Sequence, residues 1–175
     1  MRNYILLSLA LLLSFSSFAQ RQKFGYVDSE YILEKLPEYR SAERQLEEFS
    51  LKWQTEVDQK YTQLDRKFKE YKAEEPLLTS EQRRERQDEI ITMEDEIKRF
   101  ENEKFGPQGE LFKKRQELIK PIQDKVFKAI QKVAKENAFD FVFDIAANMV
   151  MLITNPTYDL SDNVLDELGV SAEID

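Results

Sequence analysis

Apolar residues recur at helical spacing along residues 37–75. Leu46, Phe49, Trp53, Val57, Tyr61, Leu64, Phe68 and Tyr71 follow one another in steps of three and four, and mostly charged or polar residues fill the gaps. A mean step near 3.6 places them on one stripe of one long helix. The stripe stops at Pro76-Leu77-Leu78. Thr79, with Gln82 three residues on, has the capping-box pattern that restarts a helix. Ile90, Met93, Ile97 and Phe100 then resume the three-and-four spacing. Two long amphipathic helices joined by a short proline turn predict an antiparallel hairpin. An outgoing helix of about 38 residues is on the order of 57 Å long. So long and so charged a helix cannot be buried in a small globule, so it is expected to project.

The return helix carries two interruptions, Gly106-Pro107-Gln108-Gly109 and Pro121. Each proline removes a ladder N–H and crowds the carbonyl four residues back, so each should break or bend the helix. A fold about Leu77 sets residues 105–109 opposite 45–49. The glycines then either make room for Leu46 and Phe49 or simply break the helix. Ile119, Ile122, Val126, Ala129 and Val133 resume the stripe, which should end near Asn137.

The two ends of the chain read differently. Phe24-Gly25-Tyr26-Val27 is a short aromatic and β-branched run, predicted as a strand. Asp28-Ser29 can cap a short helix to Leu36, and Pro37 suits the first turn of the next. Near the other end, Phe139, Phe141, Phe143 and Ile145 alternate with Asp140, Val142 and Asp144, the period of a strand. A turn at Ala146-Ala147-Asn148 and a second apolar run from Met149 to Ile153 suggest a β-hairpin. Ser161 is then expected to cap a last helix that Gly169 ends. The fold class is therefore α+β and mostly α: a long helical-hairpin (coiled-coil) arm, residues 37–118 with its tip near 76–79, inserted between short strands of a small β-body, residues 20–36 and 119–175. Three short strands make a thin core with exposed edges, so self-association is expected. Phe24, Tyr26, Phe141, Phe143, Ile145, Val150 and Leu152 are the candidates for the oligomer body.

Residues 1–19 have the grammar of an export signal: Arg2, an apolar core from Tyr4 to Leu13, and a small-residue segment that places cleavage after Ala19. The core is shorter than the roughly 20 residues of a membrane span. Loss of Arg2 leaves 25 basic and 34 acidic side chains. That balance argues against nucleic acid, which needs a basic surface. Charge is unevenly placed: residues 74–105 are net acidic, 108–136 net basic, and 140–175 hold no basic group.

The chain has no Cys and no His, which excludes thiol and imidazole catalysis, disulfides and most zinc or copper sites. No glycine-rich phosphate loop is present, and Asp140 with Asp144 reads as a solvated strand face. No catalytic residue, metal site or cofactor is expected. The arm rings Phe49, Trp53, Tyr61, Phe68, Tyr71 and Phe100 read first as the hairpin's own seam. A two-helix seam is narrow, so part of each ring is also a candidate surface for apolar clients.

The strand Phe24-Gly25-Tyr26-Val27-Asp28, the charged hairpin, Pro121-Ile122-Gln123-Asp124-Lys125-Val126, Ala129-Ile130, Val133-Ala134-Lys135-Glu136-Asn137 and Asp159-Leu160-Ser161-Asp162 occur in an order that resembles the Skp/OmpH family of periplasmic chaperones. The resemblance implies a periplasmic homotrimer, with a β-barrel body built from three chains and helical arms enclosing a cavity. Unfolded outer-membrane β-barrel proteins would be held there without ATP. Well-known members are strongly basic, whereas this chain has a pI near 4.9, which argues against membrane-surface or lipopolysaccharide contact. The competing reading is a non-catalytic coiled-coil scaffold or spacer of the cell envelope.

Overall fold

The computed structural model describes residues 22–146 and 151–170. The expected export signal with its expected cleavage after Ala19, the turn residues Ala147 and Asn148, and Met149 and the body candidate Val150 of the second apolar run lie outside the described residues. In chain order the elements are β1 (Phe24–Val27), α1 (Ser29–Lys35), α2 (Pro37–Glu74), a 3-10 turn (Glu75–Leu77), α3 (Ser80–Phe105), α4 (Glu110–Leu118), α5 (Lys120–Glu136), β2 (Phe141–Asp144), a second 3-10 turn (Pro156–Tyr158) and α6 (Ser161–Glu167). They divide into two compact units, one from the two ends of the chain up to Glu30 and from Lys128, the other Tyr31–Phe127.

In the Tyr31–Phe127 unit, α2 starts on Pro37, whose missing N–H would have had no helical partner there. The hairpin turns where the sequence places it. Thr79 Oγ1 accepts from Gln82 N at 3.3 Å, and Gln82 Oε1 accepts from Thr79 N at 2.9 Å, the full reciprocal cap of α3. Ala42, Leu46, Val57 and Tyr71 of α2 are buried, as are Ile90 and Ile97 of α3. The return helix breaks at both expected places, between Phe105 and Glu110 and at Ile119.

The glycines of the first break serve the break itself. A Cβ on Gly106 would sit 2.3 Å from the Asn102 carbonyl oxygen, and one on Gly109 would meet the backbone of residues 103–106. Making room for Leu46 and Phe49 is not their task. The break also shifts the register. Lys104 lies over Trp53 and Lys114 over Phe49, so ten residues of the returning chain face four of the outgoing one.

The unit built from the two chain ends corrects the sequence reading of its strands. Among the described residues, β2 does not pair with the next apolar run, where Met151 to Ile153 form no strand. Instead β2 pairs in parallel with β1, Phe24 opposite Phe141 and Tyr26 opposite Phe143. Leu160 N also donates to Tyr26 O at 2.9 Å, and an isolated bridge joins Tyr26 and Asp159. The sheet among the described residues thus has two strands, not three.

One face of this sheet is packed. Val27 is buried beside a core that includes Leu160, Val164 and Leu165. A Cβ on Gly25 would meet Phe139 at 2.8 Å and Leu160 at 3.2 Å, so only glycine fits there without repacking. The helix-capping role assigned to Ser161 also needs correction. Asp159 Oδ1 accepts from Ser161 N, while the buried Ser161 hydroxyl accepts from Asp28 N, both at 2.9 Å. Gly169 does end α6, at φ 75°.

At the end of α5, Ala138 has φ 53°, and Phe139 N reaches back to Ala134 O at 2.9 Å. That is the helix-ending position glycine usually fills. The left-handed conformation costs a residue with a Cβ roughly 1–2 kcal/mol, partly offset by the lower unfolded-chain entropy of alanine. Ala138→Gly should therefore stabilise by up to about 1 kcal/mol, seen as a higher urea midpoint at unchanged slope.

Candidate functional site

The packed face of the sheet leaves the other face to aromatics. The parallel register places Phe24, Tyr26, Phe141 and Phe143 together, because alternate residues of each strand point the same way. Phe24 stacks on Phe141, with centroids 5.3 Å apart and planes 13° from parallel, and on Phe143 at 6.2 Å. Yet Phe24 is 47 % exposed, Phe141 49 % and Phe143 36 %; only Tyr26 is buried. Met151, Ile153 and Tyr158 line an open apolar groove with Phe24, Tyr26 and Phe143. Leu152 stands almost fully in solvent, and Ile145 is half-buried. Of the residues expected in the body, then, Phe24, Tyr26, Phe141 and Phe143 form one contiguous patch, and Leu152 belongs to an exposed run beside it.

Two carboxylates hold the patch in place, a role the sequence did not reveal. Asp140 Oδ2 accepts from Lys23 N at 2.8 Å at the start of β1. Lys23 Nζ then reaches Asn137 O and lies over the Phe139 ring. Asp144 accepts from Ser29 N at 3.1 Å, Ser29 Oγ at 2.6 Å and Ala146 N at 3.1 Å, so a distant side chain satisfies the first turn of α1. Both carboxylates are engaged by structural donors, which explains their alternation without acid–base chemistry.

The helical hairpin presents its rings differently. Tyr71 is buried, its hydroxyl donating to Glu75 Oε1 at 2.9 Å and accepting from Gln87 Nε2 at 2.7 Å. It belongs to the seam and offers no open ring. Phe49, Trp53 and Phe100 are half-buried. Phe49 stacks on Trp53 at 5.5 Å, and Phe105 meets Trp53 edge-on at 6.3 Å. Lys104 Nζ lies 5.5 Å from both the Trp53 and Phe100 rings, held by Glu103 at 2.7 Å. That bond to Glu103 raises its pKa. Tyr61 and Phe68 are 45 % and 46 % exposed. Phe105 and Phe112 are also exposed and were not among the expected rings; each lies beside the 106–109 break, where no regular spacing marks it.

The tip is tied by charge. Glu75 takes a second bond from Lys72 at 3.1 Å, and Glu89 accepts from Lys67 at 2.7 Å across the seam. The Lys72 and Tyr71 hydrogen bonds hold Glu75 below the usual carboxylate range, and the Lys67 bond does the same for Glu89. A carboxylate whose folded pKa is depressed contributes stability above its unfolded value of roughly 4.3, and that contribution is lost as pH falls through the folded value. The tip should therefore loosen first in acid. Amide exchange of residues 67–90, referred to intrinsic rates, should accelerate below about pH 4, and Glu75→Gln with Glu89→Gln should flatten that response.

A short parallel sheet with an open aromatic face, together with a long, charged, half-covered helical hairpin, defines a class of binding proteins without an enclosed reaction centre among the described residues. The model of the OmpH-like outer membrane protein family matches residues 23–168, and the chain belongs to that family. Among solved structures, an OmpH-like outer membrane chaperone from Caulobacter crescentus superposes with a TM-score of 0.67 at 16 % identity, over 89 % of this chain and 90 % of that one. That likeness is one of fold. No curated protein matches the chain.

Proposed function

We propose that this chain is a nucleotide-independent holding chaperone of the periplasm. It self-associates through the aromatic sheet face, as a homotrimer, and shelters unfolded outer-membrane β-barrel proteins against the half-open rings of its helical hairpins. The observation that carries the holding role is the incomplete burial of large rings along the helices of the Tyr31–Phe127 unit: Tyr61, Phe68, Phe105 and Phe112 are all exposed by more than a third. A spacer gains nothing from leaving them open, since exposed rings invite non-specific association. A holder needs many weak apolar contacts, each worth perhaps 0.5–1.5 kcal/mol at roughly 25 cal/mol per Å², because such contacts exchange and release without an energy source. The stacked and half-exposed Phe24, Phe141 and Phe143 support assembly: a solvated patch of this kind is what an oligomer covers. Aggregation of a urea-unfolded β-barrel protein on dilution tests the reading. Suppression at near-stoichiometric amounts without nucleotide supports it, and unchanged turbidity favours the spacer.

A further inference from the structure

We propose that Met151 is an oxidation site through which hydroperoxides control assembly; the inference rests on the assembly reading above. The chain contains neither Cys nor His, so thioether sulfurs are its softest oxidisable groups. Downstream of the export signal they occur only at positions 93, 149 and 151. Met93 is half-buried on α3. Met151 is 37 % exposed in the apolar groove lined by Phe24, Tyr26, Phe143, Ile153 and Tyr158. Leu152 and Ile153 beside it are 91 % and 89 % exposed, so oxidant reaches this segment freely in the unassembled chain.

The step is a two-electron oxygen transfer. A sulfur lone pair attacks the distal oxygen of the hydroperoxide, the S–O bond forms as the O–O bond breaks, and water or an alcohol leaves with the proton. The product is a sulfoxide, a strong acceptor in place of an apolar thioether. Covering it between aromatic faces takes its oxygen out of water, with only Thr154, Asn155 and the tyrosine hydroxyls of the groove wall able to donate, and is expected to weaken association by about ten-fold. Thiol-dependent sulfoxide reductases reverse the change. Oxidation would thus hold newly exported copies apart, while assembled copies shield the sulfur.

Protein recovered from periplasmic extract, treated with hydrogen peroxide, supplies the test. Peptide mass spectrometry is expected to show Met151 oxidised faster than Met93, and more slowly at concentrations that favour assembly. Light scattering should show the oxidised protein shifting toward the protomer mass, with recovery after sulfoxide reductase and dithiothreitol. Met151→Leu should assemble and resist peroxide, and Met151→Gln should assemble about tenfold or more weakly without any oxidant. Assembly of Met151→Leu that remains as peroxide-sensitive as the parent, or full oxidation of Met151 with no change in mass, would overturn the inference. An untreated parent that never assembles removes the assembly reading itself and the inference with it.

Discussion

Phe143→Asp is expected to leave the protomer folded and to abolish its assembly. Phe143 is 36 % exposed in the single chain, and the same holds more strongly for Phe141 at 49 %. A carboxylate at either position keeps contact with water while the chain is alone. Covering that position with another copy strands an unpaired charge between aromatic rings, at several kcal/mol per copy. Light scattering of the parent at micromolar concentration should give three protomer masses, and either variant should give one. Far-UV circular dichroism should be nearly unchanged, because the helices do not depend on this face. A variant that unfolds would instead show that the rings stabilise the protomer, and a variant that still assembles would place the interface elsewhere.

Shortening the hairpin should have the second large effect. Deleting residues 60–95 and closing the ends with a short turn removes Tyr61, Phe68, Tyr71 and the capped tip, but leaves the aromatic sheet untouched. Such a chain is expected to assemble normally and to lose all protection of an unfolded client. No single ring among Phe49, Trp53, Tyr61, Phe68 and Phe100 should matter as much, because diffuse contacts substitute for one another. Salt adds a second reading of the same physics. Many charges on the helices are exposed, and a number of them are paired along the helix, as in Lys69 with Asp65 and Lys120 with Asp124. Client affinity should therefore change little between about 50 and 300 mM salt, where screening removes exposed-charge attraction. A tenfold loss over that range would assign the holding to the basic stretch from Lys113 to Lys135.

What could be read from the chain was local. The capping box of Thr79 and Gln82, the proline start of α2 and the glycine end of α6 are each fixed within a few residues, and each appears where the pattern puts it. The partner of β2 was not local. An alternating run followed closely by a second apolar run suggests a hairpin, because sequence neighbours usually pair. The strands of the two chain ends were expected to share one body, but nothing in the run 139–145 says that it pairs directly with β1 rather than with the run that follows it. The matching aromatics at 24 and 26 were the only trace of that pairing, since parallel strands need a long crossover and here the crossover is the helical hairpin itself. The seam was legible as a stripe but not ring by ring. A stripe of eight large apolar side chains over residues 46–71 is wider than a two-helix contact, so Val57 and Tyr71 are covered while Tyr61 and Phe68 remain partly open. Asp140 and Asp144 looked like ordinary strand charges because their donors, Lys23 and Ser29, are more than a hundred residues away.

The sequence contains one tryptophan, and it sits among the rings proposed to hold the client. Trp53 fluorescence, followed while a tryptophan-free, urea-unfolded outer-membrane β-barrel protein is diluted into the assembled chain, therefore reports directly on the central claim. The emission should shift to the blue and saturate at a fixed ratio of client to assembly, and the shift should be absent with a folded client. A client kept soluble while Trp53 emission stays unchanged would show that it is held somewhere other than the aromatic seam.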